Sequence, residues 1–147
     1  MKLISACLLG INCRWDKKHN KNDKALELLN SEILIPVCPE QLGGLNTPRA
    51  RQEIQGGAGK EVLKRKSKVI NENGEDVTEQ FINGAEETLR IARLFQVKEF
   101  IGKSHSPSCS CEKIYDGTFS GKLINGYGVT AELLKRNGIK ITREENL

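Results

Sequence analysis

Three short apolar runs, set apart by segments with helical periodicity, constrain this chain more than any other feature. They are Lys2 to Leu9, Glu32 to Cys38 (with Ile33-Leu34-Ile35-Pro36-Val37) and Phe100-Ile101-Gly102. Runs this short, without polar alternation, suit strands buried on both faces. Pro36 marks a weak point or an edge position in the second. Asp23 is placed to cap a helix through Leu29, with Ala25, Leu26 and Leu29 on one side. The strongest helix is Glu79 to Phe95, with Asp76 or Thr78 as its cap and Phe81, Ala85, Leu89 and Ala92 at helical spacing. A last helix, Val129 to Lys135, stops at Asn137-Gly138, and Ile139 to Thr142 alternates as a final strand. Between these, Gly43-Gly44 and Gly56 to Gly59 mark a loop-rich stretch from Glu40 to Lys60. Residues 61 to 77 read as a small hairpin about Asn73-Gly74. Such alternation predicts the α/β class: one three-layer, Rossmann-like domain over residues 1–147, with a mostly parallel sheet.

A chain of 147 residues can bury one sizeable core, and 37% apolar with 29% charged residues excludes a disordered or collagen-like polymer. No apolar run reaches the roughly 18–20 residues of a membrane span. Gly10, Asn12 and Arg14 interrupt the amino-terminal run where a signal peptide would continue, so a cytoplasmic location is expected. The net charge of +4 is spread along the chain apart from Lys60, Lys64, Arg65, Lys66 and Lys68, which read as a solvated face. An anionic small molecule fits this balance better than nucleic acid. With one Trp, two Tyr and four Phe there is little for a base-stacking platform, so tRNA is a secondary candidate partner and a membrane is none.

The five cysteines are Cys7, Cys13, Cys38, Cys109 and Cys111, an odd number without any Cys-x-x-Cys pair. A disulfide framework is not expected of such a chain. Cys7 lies near the end of the first expected strand, Cys38 ends the second and Cys109 follows the third. The carboxyl ends of strands in an open α/β sheet share one rim, where ligands bind. Three soft ligands converging there fit either an iron–sulfur cluster with one open iron or a catalytic zinc.

The same segments resemble the TudS-like thiouracil desulfidase family, formerly a domain of unknown function. The matching stretches are Ser5-Ala6-Cys7-Leu8-Leu9-Gly10 with Cys13-Arg14, and Pro36-Val37-Cys38-Pro39-Glu40 followed by Gly43-Gly44-Leu45, Pro48-Arg49 and Glu53. The third is Lys103-Ser104-x-Ser106-Pro107-Ser108-Cys109, and the helix at 128 to 134 is also similar. Trp15 and Lys17 depart from the family's usual Tyr and Gly, Ala50 and Arg51 stand where prolines often follow, and Cys111 replaces a glycine-rich continuation.

The resemblance implies a [4Fe-4S] cluster on Cys7, Cys38 and Cys109. It also implies non-redox removal of sulfur from thiouracil, 4-thiouridine or 4-thio-UMP as sulfide, with Glu40 and Ser104 at the family's catalytic positions. Physical chemistry agrees: an open iron suits a thiocarbonyl sulfur, Glu40 can deprotonate a water, and Ser104 can orient it. Arg49, Lys103, Ser106 and Ser108 offer donors to a nucleotide phosphate. Cys13 or Cys111 as a further ligand would close the open position. A cluster- or zinc-containing binding or sensing module for thiolated nucleotides or tRNA, and a zinc hydrolase, are the alternatives.

Overall fold

The computed structural model describes every residue, Met1–Leu147. The first half runs β1 (Lys2–Ser5), α1 (Asp23–Glu27), β2 (Leu34–Val37), α2 (Pro39–Leu42), β3 (Gln52–Gln55), α3 (Gly59–Leu63) and β4 (Lys68–Asn71). The second runs α4 (Thr78–Leu94), β5 (Glu99–Gly102), β6 (Lys113–Tyr115), β7 (Leu123–Asn125), α5 (Val129–Arg136) and β8 (Lys140–Arg143).

The central sheet has the order β2-β1-β5-β8, and every pairing in it is parallel. Because side chains alternate along a strand, neighbouring apolar residues go to opposite faces. Leu3 and Phe100 pack with Leu89 and Ala92 of α4 and Leu134 of α5. Ile4 and Ile101, one residue on, pack with Leu8, Ala25 and Leu34 on the other face. Helices therefore cover both faces, which is why the strands carry no polar alternation. The three-layer, Rossmann-like arrangement expected from the sequence is present. β2 is an edge strand, so Pro36 removes no hydrogen bond that a central strand would need. A second core, with Ile54, Val69, Phe81, Ala85 and Val129, joins the antiparallel β3–β4 pair to the backs of α4 and α5. No helix is long and apolar enough to cross a membrane.

Four local expectations are corrected. The first apolar run is not one strand: β1 ends at Ser5, and Ala6–Leu9 form a 3-10 turn closed by Gly10 at φ 88°. This turn swings Leu8 into the core beneath α1 while Cys7 stays half-buried. The first helix is capped by Asn22, whose side chain accepts from the Ala25 N–H at 3.0 Å, rather than by Asp23. Its continuation, Leu28–Asn30, is 3-10, and the tighter winding rotates Leu29 out to 49% exposure. The hairpin in 61 to 77 is confined to the flanks of Asn73-Gly74, where Ile70 bridges Asp76 and the Val77 N–H donates to the Val69 carbonyl, because α3 takes the residues through Leu63; β4 pairs with β3 along its other edge. Gln52-Glu53-Ile54-Gln55 has a single apolar residue, too few to show a strand period.

Two close approaches hold the rim loops against this frame. A Cβ on Gly84 of α4 would stand 2.0 Å from the Pro39 carbonyl oxygen, and one on Gly102 would stand 2.0 Å from that of Cys109. Only glycine admits these contacts, which set the segments carrying Cys38, Glu40 and Cys109.

Candidate active site at the carboxyl rim of the sheet

From the adjacent central strands β1 and β5 the chain leaves toward opposite edges, to β2 and to β8. This reversal opens a crevice at the carboxyl ends, the usual ligand position in such sheets. A cavity of about 450 Å³ lies there, and Cys7, Cys13, Cys38 and Cys109 all line it. Cys7 sits in the turn after β1, and Cys38 caps α2 directly after β2. Cys109 follows β5 through a loop tied to β1 by the Lys103 N–H, which donates to Ser5 Oγ at 3.0 Å. Cys111 is half-buried and does not line the cavity.

Cys13 is buried, with its thiol against those of Cys38 and Cys7, and this contact pushes its pKa up. The Cys13 thiol, helped by Asn20, lowers the pKa of Cys7 despite burial. Burial pushes Cys109 well up, and the nearby Glu40 carboxylate adds to the effect. The Cys13 and Cys109 thiols are thus held protonated without a metal beside them, and ionising the set as ligands needs a positive partner. An iron or other metal group would supply it. No three His, Cys, Asp or Glu side chains are arranged to hold a single ion. The all-thiol donor set suits an iron–sulfur group.

Glu40, in the first turn of α2, is buried and accepts from Cys38 Sγ, with Oε2 3.5 Å away. Ser104 is buried and also lines the cavity, and its N–H and Oγ–H both donate to Glu144 Oε2 at 2.8 Å. Lys103 Nζ meets Glu144 Oε1 at 2.8 Å and the Ser104 carbonyl at 3.1 Å. Lys103 thus lines the cavity with its charge already paired. Ser106 lines it too, but its Oγ accepts the N–H groups of Ser108 and Cys109 at 3.2 and 3.0 Å. Ser108 does not reach the cavity; its hydroxyl bonds Thr130 Oγ1 at 2.8 Å in the interior. Arg49 does, with Nη2 donating to the Cys13 carbonyl at 3.0 Å and a buried Nε that has no partner.

Sequence reasoning missed several walls of the cavity. Trp15 stands at its mouth with the guanidinium groups of Arg14 and Arg51 each 5.6 Å from its ring. Glu53 Oε1 accepts the N–H groups of Gly117 and Phe119 at 3.0 and 3.1 Å, holding the β6–β7 tip over the opening. His105, at φ 67°, turns its ring edge-on to Tyr115 at 5.9 Å. Glu53 and Trp15 had a signal, since both fall within segments already singled out. Glu144 had none, being one carboxylate in the polar run Thr142-Arg143-Glu144-Glu145-Asn146.

Burial raises the pKa of Glu144, but Lys103 and Ser104 together outweigh it and hold the carboxyl below its ordinary value. A depressed folded-state pKa contributes stability that is present above the unfolded value, about 4.3, and is lost as pH falls through the folded one. The wild type should therefore lose more unfolding free energy between pH 5 and 3 than Glu144→Gln, measured by urea titration. Equal losses would show that Glu144 does not contribute.

Comparison with known proteins points one way. A family described as 2-thiouracil desulfurase matches residues 3–146. A Bacillus subtilis (strain 168) protein, called uncharacterized protein YbbK, is 45% identical over 147 residues, covering 100% of this chain and 97% of its own length. A solved structure described as the [4Fe-4S]-dependent thiouracil desulfidase TudS superposes with a TM-score of 0.87 at 36% identity, covering 99% of this chain and 91% of that one.

Proposed function

Because the chain belongs to the 2-thiouracil desulfurase family, we propose that it is a thiouracil desulfidase that removes sulfur hydrolytically from a thiolated pyrimidine at a [4Fe-4S] cluster. Cys7, Cys38 and Cys109 would hold the cluster, with residues 1–147 acting as one domain. The observation that carries this is the gathering of thiols from three strand ends into one cavity with Glu40 and Ser104. The solved desulfidase of the same fold supports it. Five unpaired cysteines suit the reducing cytoplasm.

When bound, such a cluster supplies a Lewis-acidic iron suited to the soft thiocarbonyl sulfur. Glu40 holds a water beside the ring carbon that bears sulfur and takes its proton as the oxygen adds. Ser104 sets the orientation of the ring or the water. Arg49, which lines the cavity, offers its guanidinium to a substrate oxygen, whether on the base of thiouracil or 4-thiouridine or on the phosphate of 4-thio-UMP. Trp15, Tyr115 and Phe119 exclude bulk water from the opening. The balance is redox-neutral: one water enters, C=S becomes C=O, and sulfur leaves as hydrogen sulfide.

The test is iron and acid-labile sulfide in anaerobically reconstituted protein, followed by addition of 2-thiouracil and 4-thio-UMP. About four irons and four sulfides per chain, with loss of the thiocarbonyl absorbance and stoichiometric sulfide, are expected. A full cluster that leaves every thiopyrimidine intact would overturn the reading.

A further inference from the structure

Ser104 is a cavity residue whose hydroxyl hydrogen has an assigned acceptor. The residue is buried and lines the cavity, and its Oγ lies 2.8 Å from Glu144 Oε2. Glu144 itself does not line the cavity. Its carboxylate accepts three donors: the Ser104 N–H, the Ser104 hydroxyl and, on its other oxygen, the Lys103 ammonium at 2.8 Å. An ionised carboxylate can only accept, so the Ser104 hydrogen must point at Glu144, which is not a cavity residue, and the Oγ lone pairs are left free to accept. Glu144 follows β8 directly, in the turn Glu144–Asn146. All four strands of the parallel sheet thus deliver a residue to this rim: Cys7, Cys38, the Lys103–Cys109 loop and Glu144.

We propose that Glu144 is a positioning residue that fixes Ser104 as a hydrogen-bond acceptor toward the substrate, matched to a ring N–H of the pyrimidine. This rests on the desulfidase reading for its substrate class. A thiouracil ring carries N–H groups beside the carbon that bears sulfur, so an acceptor in the same cavity as Glu40 selects the protonated lactam–thione form. That form is the one with a C=S bond to hydrolyse. The thiol tautomer, with a bare ring nitrogen, would set lone pair against lone pair. The uracil product keeps the same N–H groups and so reports the contact without any turnover.

Replacing Glu144 with Gln leaves one neutral amide oxygen for the Ser104 N–H, the Ser104 hydroxyl and the Lys103 ammonium, so the hydroxyl loses the charged acceptor that fixes its hydrogen and is free to turn it toward the cavity. The experiment is a double-mutant cycle of Glu144→Gln and Ser104→Ala on reconstituted enzyme. It reads uracil affinity by calorimetry, and KM and kcat for 2-thiouracil, with iron content and the unfolding midpoint recorded for each variant. Glu144→Gln is expected to weaken uracil binding roughly 10-fold and to raise KM in step at unchanged iron content, the scale of one lost hydrogen bond. In the Ser104→Ala background the same change should have little further effect, the signature of action through Ser104. A merely structural Glu144 would weaken binding equally in both backgrounds, and that overturns the proposal. Should Glu144→Gln unfold, Glu144→Asp replaces it in the cycle with the same expectation. Uracil binding that follows the cycle, in an enzyme that releases no sulfide, would sustain the positioning role while removing the desulfidase reading. A wild type that binds neither pyrimidine would overturn both.

Discussion

Cys38→Ala is expected to abolish iron binding and sulfide release together. Cys38 sits where β2 passes into α2, and the Pro39 carbonyl packs against Gly84, which fixes the backbone that carries its thiol. Cys7→Ala and Cys109→Ala should behave alike, since three thiolates are the smallest set that leaves one iron open. Cys13→Ala is the informative contrast. Its thiol touches those of Cys7 and Cys38, yet with three ligands it should keep nearly all its iron. Iron and labile sulfide on the four variants decide the matter. Full turnover in Cys38→Ala would sink the assignment, and loss of iron in Cys13→Ala would make Cys13 a ligand and close the open position.

Glu40→Gln is expected to keep the cluster and slow turnover by about 10²–10⁴-fold, the scale of lost general-base help. The two side chains are nearly isosteric, so the cavity and the Cys38 contact at 3.5 Å should survive. The loss should fall on kcat rather than KM, because a proton acceptor acts in the transition state and not in binding. Single-turnover sulfide release with an unchanged visible spectrum measures it. Wild-type kcat in the variant would remove Glu40 from the chemistry.

Where the sequence was legible, the pattern was local. Buried parallel strands announce themselves as unbroken apolar runs, and α4 by its 3.6-residue repeat, so the layers and the order β1, α1, β2, α4, β5, α5, β8 could be read directly, whereas α2, β3, α3, β6 and β7 could not. Edges between elements were less clear. The Lys2 to Leu9 run hid a turn, because a 3-10 segment keeps its apolar residues in the same stretch as the strand it follows. β3 was invisible, since its register with β4 and its place over the second core come from tertiary contacts rather than from alternation.

The candidate site divides in the same way. Cys7, Cys38, Cys109, Glu40 and Ser104 lie just after strands, and strand ends in a parallel sheet share a rim whatever the details of packing. That much the sequence by itself determined. Ser108 and Lys103 show the limit: both stand in the right loop, but only the folded chain points one hydroxyl at Thr130 and pairs one ammonium with Glu144. Side-chain direction depends on neighbours that are distant along the chain. Ser104 and Glu144 are 40 residues apart, and nothing between them encodes the encounter. Only the tertiary structure, by pairing β5 with β8 in register, brings that carboxylate to the serine and decides which way its proton faces.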